Sequence, residues 1–457
     1  MLKKLFSGLV AATFLILTPL VHAEITIQHW QTQTGARVYF VPVRALPILD
    51  VHLGFAAGDM FDPANKAGLA SFTHKLLDLG AGDLSEVDIS NRLADVGAAL
   101  GGGADSDRAS LSLRTLTTPE KQAAALDVFV KILHQPHFAA DVFAREQARS
   151  IAGLKDALTR PDTLASRAFW SALYPDHPYG VVTTPESLAA LTVEDARQFW
   201  RAHYTAANAV ISIVGDLEAD AARALAERLA AALPAGDALP TLPAAPGAGA
   251  GKVARVPHPA SQAHIYLGLP AIARGDPDFF PLLVGNYTLG GGGFVSRLMN
   301  EIREKRGYAY SVYSGFSPMK QNGPFTIGLQ TRKEQADEAT ALAKKVLADF
   351  LKEGPTPDEL TAAKAYLMGS FPLNLDSNGK ILGQIANIGF YGLPLDYLTR
   401  YQERVQSVTL ADIRAAFNRH VRMDKLTEVT VGAEEKAPGE EHAKHRSTSQ
   451  NGTIISP

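Results

Sequence analysis

Two small groups of side chains in this chain have the types and spacing to do chemistry. The first is Ser71, His74 and Lys75, at i, i+3 and i+4 within residues 67–79, AGLASFTHKLLDL. On a helix this spacing gathers a hydroxyl, an imidazole and an ammonium on one face. A serine hydrolase with a desolvated lysine as base is one chemistry they suggest; polar lining of a cleft is the other. The second group is Arg303 and Tyr310, within residues 289–314, LGGGGFVSRLMNEIREKRGYAYSVYS. A guanidinium and a phenol seven residues apart across a helix-to-strand turn can project toward one place. The simpler reading on spacing alone is a surface arginine and a core tyrosine.

The elements that must position these groups follow from periodicity. Leu69, Phe72 and Leu76 line one face of a helix under the first group. Gly290 to Gly293 form a helix-entry loop, and Val295, Leu298, Met299 and Ile302 recur as the apolar stripe of an amphipathic helix. Gly307 is placed to end that helix, and residues 308–313 alternate as a strand. The glycine run lacks the GxxxxGK[ST] and GxGxxG patterns, which argues against a nucleotide site.

Elsewhere, residues 25–32, 37–43, 48–55, 109–116 and 209–215 read as strands, and 119–133, 139–158 and 219–233 as helices. Residues 234–251, PAGDALPTLPAAPGAGAG, have no hydrophobic period and read as a tether. Beyond it the pattern starts again. LTVEDARQFWRAHY at 191–204 matches VTLADIRAAFNRHV at 408–421 at a constant offset of 217, with Thr, Asp, Arg and His coinciding. The strand-then-helix at 109–133 resembles 324–351 in the same way.

Composition narrows the function. The 457 residues are 46% apolar and 20% charged with a net charge of −3, an ordinary globular balance that gives no reason to expect nucleic acid. There is no cysteine, which removes thiolate metal sites and thiol nucleophiles. Lys3 and Lys4, an apolar run to Val21 and the small-residue site Val21-His22-Ala23 read as a cleavable export signal over 1–23, so a periplasmic chain with no stable membrane anchor is expected. The charged tail 434–457 reads as disordered, and His442 and His445 as solvated.

GLASFTHKLL resembles the GLAHFLEHML helix of the pitrilysin/insulinase zinc metallopeptidases, whose HxxEH motif supplies two zinc ligands and the general base. IREKRGYAYSV resembles the segment that carries the family's substrate-binding arginine and tyrosine, matching Arg303 and Tyr310. The repeat, the linker and His177-Pro178-Tyr179-Gly180 extend the resemblance over nearly the whole mature chain. Residue by residue, however, Ser71 and Lys75 stand for the two histidines, His74 for the glutamate base, and Gly153 for a later glutamate ligand. A hydroxyl is a poor zinc ligand, and an ammonium adds about +1 charge against a +2 ion. No cofactor is therefore expected in this chain.

What the resemblance implies is an α+β fold of two homologous domains, 24–233 and 253–433, joined by a linker at 234–252. Each domain is a largely antiparallel sheet packed by helices, and together they make half of a peptidase clamshell. It further implies a non-catalytic subunit that lends Arg303 and Tyr310, for peptide substrate, to a homologous HxxEH-bearing zinc peptidase. A scaffold or assembly protein and a stand-alone peptide-binding module are the alternatives.

Overall fold

The computed structural model describes residues 25–236, 244–245, 247 and 251–432. The expected export signal, most of the linker and the charged tail with His442 and His445 lie outside the described residues. No helix among the described residues is long and apolar enough to cross a membrane.

Among the described residues eleven strands form two sheets. The first holds β1 (Gln28–Gln31), β2 (Arg37–Pro42), β3 (Ile48–Phe55), β4 (Ala99–Ala104), β5 (Ala109–Leu116) and β6 (Ala209–Gly215), in the order β1-β2-β6-β3-β5-β4. The second holds β7 (Val253–Val256), β8 (Gln262–Ile272), β9 (Ala309–Phe316), β10 (Gly323–Arg332) and β11 (Thr427–Val431), in the order β7-β11-β8-β10-β9. Apart from β1 the sheets share one topology: β2 with β6 and β7 with β11 run parallel, and every other neighbour is antiparallel. The α+β fold and its internal repeat are therefore as the sequence implies.

The repeat extends to capping. The helices Val193–His203 and Leu410–His420 each begin with a threonine whose hydroxyl accepts from the N3 aspartate amide, Thr192 from Asp195 and Thr409 from Asp412, both at 3.2 Å. Such caps satisfy amide groups that the first helical turn would otherwise leave unpaired. Both helices end on a histidine whose Nδ1 meets a carbonyl in its own half, His203 with Ala56 and His420 with Ala271.

In each sheet one face packs on its own helices. In β3, Leu49, Val51, Leu53 and Phe55 are fully buried in a core with Phe40, Phe129 and Ile213. In the second half Leu267, Phe325, Phe350 and Phe417 play that part. The other face is covered by the other half. The helix Pro161–Leu173 of the first half lies on β11 and β8, and Asn378–Tyr391 of the second lies on β6 and β3. The second begins at 378 against 161, again an offset of 217, so the exchange is itself part of the repeat. Phe169, Leu173 and Tyr174 pack with Val429 and Val431, while Ile381, Leu382, Ile385 and Ile388 pack with Tyr39, Val41, Val210 and Val214. Asp107, buried at this junction, accepts from the Tyr179 hydroxyl, the Tyr391 hydroxyl (2.9 Å) and the Lys320 amide (2.8 Å), and burial raises its pKa. The chain divides at the linker in sequence but interlocks in packing, because each sheet would expose an apolar face without the other half's helix.

Candidate functional site

The helix carrying the first group is shorter than its pattern suggested, Leu69–Lys75, since Gly68 precedes it in the left-handed region and the chain leaves helical hydrogen bonding soon after Lys75. Asp62 supports its start, accepting from the Gly68 amide at 2.6 Å and the Ala70 amide at 2.8 Å; burial nevertheless pushes its carboxyl up to about 7. Ser71, His74 and Lys75 do share a helix, but each is committed to a different partner. The Ser71 hydroxyl donates to Asp59 Oδ1 at 2.7 Å. His74 Nε2 lies 2.8 Å from the Ser110 carbonyl, which can only accept, so this nitrogen carries the proton; burial lowers the histidine's pKa and favours that neutral form. Lys75 Nζ is 3.1 Å from Glu146 Oε2 and 3.1 Å from Ser150 Oγ.

Glu146 and Ser150 sit one turn apart on the helix Ala140–Ala157, and they, not Gly153, are what that helix brings to Lys75. Gly153 is exposed one turn farther on, with no atom near where its Cβ would be. Glu146 is buried and meets Arg145 at 2.8 Å and Arg149 at 2.7 Å as well as Lys75. Burial alone would push its carboxyl up, but the Arg145 and Lys75 hydrogen bonds and the Arg149 charge outweigh this and hold it down at about 2. The residues present do not fit zinc. The site's imidazole, His74, stands at the base position with its Nε2 proton given to the Ser110 carbonyl, the carboxylate is already matched to three cations, and an ammonium stands where a ligand is needed. No serine–lysine pair forms either, because Ser71 and Lys75 turn to separate acids.

The second group is built differently. Leu298, Met299 and Ile302 are buried as expected, but Val295 is 72% exposed: residues 293–295 form a 3₁₀ turn, and Met299–Glu304 is a π-helix, not the amphipathic α-helix read from the stripe. A wider helical turn shifts which way Arg303 projects. Gly307, at φ 63°, ends the segment as expected. Strand β9 is also irregular. Ser311 pairs with Gln330 and Ala309 with Thr331, leaving Tyr310 as the extra residue of a β-bulge. Consequently Tyr310 is not a core tyrosine but 83% exposed, while Tyr308, two residues earlier, packs against the second core. The two irregularities meet: the Arg303 guanidinium carbon lies 4.8 Å from the Tyr310 ring centre.

The glycine run is also more than an entry loop. Gly290 and Gly291 close a π-helix, Tyr287–Gly291, instead of a loop, and a Cβ on Gly290 would lie 2.4 Å from Ser314 Oγ and 2.5 Å from Ser314 N, so glycine is needed for this turn to press on β9. Past this contact Phe294 is 64% exposed, with its ring centre 4.7 Å from the Arg303 guanidinium carbon. Sequence reading missed Phe294; an aromatic outside the apolar stripe and next to four glycines was the available signal.

Among the described residues one further trio has potential ligand atoms within 4.8 Å of one another, Asp276, Asp278 and His420. Asp278 is already matched by Arg419 and by His420 Nε2 at 2.8 Å, and its own amide donates to Asp276 Oδ1 at 2.8 Å. This trio anchors the start of the helix Phe279–Asn286 to the end of Leu410–His420.

The family described as Peptidase M16 inactive domain matches residues 190–367, which include Arg303 and Tyr310. The crystal structure of a peptidase M16 inactive domain from Pseudomonas fluorescens superposes with a TM-score of 0.86 at 39% identity, covering 90% of this chain and 98% of that one. The non-peptidase homolog YmxG of Helicobacter pylori is 27% identical over 443 residues, 95% of this chain and all of that protein. The periplasmic protease PqqL from Escherichia coli shares the fold, with a TM-score of 0.76 at 19% identity, covering 95% of this chain and 49% of that one. The chain belongs to the M16 peptidase family, the pitrilysin/insulinase type, where the proteins it is similar to include members described as inactive or non-peptidase and others, such as the uncharacterized zinc protease SCO5738 of Streptomyces coelicolor at 28% identity over 359 residues, 76% of this chain and 77% of that protein, named as zinc proteases.

Proposed function

We propose that this chain is the non-catalytic subunit of a two-chain exported zinc peptidase, in which a homologous HxxEH-bearing subunit supplies the metal and this one supplies Arg303 and Tyr310 to the bound peptide. The observation that carries the reading is the contrast in commitment. Ser71, His74, Lys75 and Glu146 are consumed by internal partners, whereas the Tyr310 phenol projects into solvent beside a guanidinium it helps to orient. Arginine offers a planar fork of donors to a peptide carbonyl or carboxylate, and a phenol can donate to a developing oxyanion. Neither group is a general base or nucleophile, so the reading requires a second chain. That this chain matches 49% of the PqqL chain, which has the same fold, is in keeping with half a clamshell. An export signal over 1–23 would place the complex in the periplasm.

Purified mature chain is expected to hold no stoichiometric zinc and to cleave no unfolded peptide; mixing it with a zinc-bearing homologue encoded beside it should produce chelator-sensitive cleavage. One zinc per chain that is lost in His74→Ala, or cleavage by this chain alone, contradicts the proposal. Assembly with the homologue but no gain in cleavage would favour the scaffold alternative.

A further inference from the structure

Phe294 has no role in the site as described so far, yet its position is closely fixed. The turn that bears it is locked from both sides: Gly290 presses on Ser314, and the fully buried Ser296 returns its hydroxyl to the Gly293 carbonyl at 2.7 Å and its amide to the same oxygen at 3.0 Å. A phenylalanine left 64% exposed on a rigid turn forgoes the burial that normally recommends the residue. What it gains is the guanidinium of Arg303, whose central carbon lies 4.7 Å from the Phe294 ring centre and 4.8 Å from that of Tyr310. Both distances are within cation–π range. Among the described residues the acid paired with Arg303 is Glu304, at 3.5 Å from Nε, a half-exposed carboxylate and a weak ion pair, so the rings more than a carboxylate set where the fork points.

We propose that Phe294 is a positioning residue: with Tyr310 it forms a two-ring clamp that holds the Arg303 fork edge-on toward an extended peptide. The inference rests on the function proposed above. The clamp lowers the side-chain entropy that a long arginine would otherwise lose on binding, so its effect belongs to peptide affinity and not to turnover. It also explains why an aromatic ring, and not merely an apolar side chain, occupies the turn.

Two variants separate the ring from its bulk. Phe294→Leu keeps an apolar side chain without a π face, and Phe294→Tyr keeps the face; the site is exposed enough that neither should perturb folding, which thermal melts would verify. In the complex with the zinc-bearing homologue, Phe294→Leu is expected to raise KM for a fluorogenic peptide about twofold to fivefold, the worth of an exposed cation–π contact, with kcat little changed. Phe294→Tyr should restore the wild-type KM. In the free full-length mature chain, the ¹⁵N-labelled Arg303 Nε–H resonance, identified by its loss in Arg303→Lys, should shift in Phe294→Leu and return in Phe294→Tyr. A resonance indifferent to Phe294→Leu overturns the clamp whatever the kinetics. Unchanged KM in Phe294→Leu, in a complex that Arg303→Ala does impair, overturns the positioning role but leaves the function standing. If Arg303→Ala is also without effect, the proposed function fails and this inference with it.

Discussion

The two halves carry the same junction, a helix leading into the edge strand of a sheet, and build it in opposite ways. In the first half Glu86–Asp95 is a regular α-helix with a complete Ser85–Asp88 capping box, and β4 pairs with β5 from Ala99 to Ala104 without a register shift. In the second half the segment before β9 is a π-helix, and β9 bulges at Tyr310. Irregular turns of both kinds are less favourable locally than the regular ones, and the first half demonstrates that this fold does not need them here. Both irregularities converge on Arg303 and Tyr310. The polar groups differ as well: Ser71, His74 and Lys75 on the first half's helix are held by internal partners, while Tyr310 in the second half is exposed beside Arg303. Both differences are in keeping with the function proposed above, which puts peptide contact in the second half.

Breaking the open site should have the largest effect. Tyr310→Phe in the assembled complex removes a donor aimed at developing charge, and turnover should fall about a hundredfold to a thousandfold, roughly 2.7–4 kcal/mol, with the fold and assembly intact. Tyr308→Phe is the matched control. Because the bulge breaks strict alternation, Tyr308 belongs to the core and not to the site, and that variant should leave turnover near wild type.

Next in size is Gly290→Ala, whose new Cβ meets the backbone and hydroxyl of Ser314 and should cost about 1–3 kcal/mol in urea unfolding while also displacing Phe294. The helix that seals the first site predicts the reverse for a glycine one turn beyond that site. Gly153 lies inside a helix with nothing near it, so Gly153→Ala should stabilise by about 0.5–1 kcal/mol. Equal destabilisation by both alanines would mean that the contrast between the sites has been misread.

Glu146→Gln sharpens the comparison from the first half. Its carboxyl is held at about 2, below the ordinary 4.5, so it contributes stability that is fully present above about pH 4.5 and is lost as the pH falls from there through about 2. At pH 7 the variant should lose about 1 kcal/mol, a modest figure because Lys75 and Arg149 reach solvent. Its urea midpoint should also change less between pH 6 and pH 3 than that of the wild type. An identical acid dependence in the two proteins would remove Glu146 as the acid that seals the site.

Much of this was legible in the chain itself, and the parts that were not have physical reasons. The 217-residue offset reveals the repeat because capping threonines, aspartates and terminal histidines are read locally, and they recur as helix boundaries in both halves. β3 and β5 are recovered to the residue by alternation. β4, ALGGGA, was missed because three glycines in six residues carry no strand pattern; pairing with β5 makes it a strand. The π-helix and the bulge depend on neighbours across space, so the stripe through Val295 was misleading, and Tyr310 was a core tyrosine on spacing and a solvent-facing one in the fold. The loss of the zinc motif was plain from Ser71, His74 and Lys75, but the pairing of Lys75 with Glu146 required the third dimension.

The central claim is that this chain completes another chain's active site through Arg303 and Tyr310. Its most direct test is peptide cleavage by the complex carrying Arg303→Ala and Tyr310→Phe together, with assembly verified by mass measurement in solution. The account predicts an intact complex whose kcat/KM falls at least about a hundredfold; an intact complex with wild-type kcat/KM would contradict it.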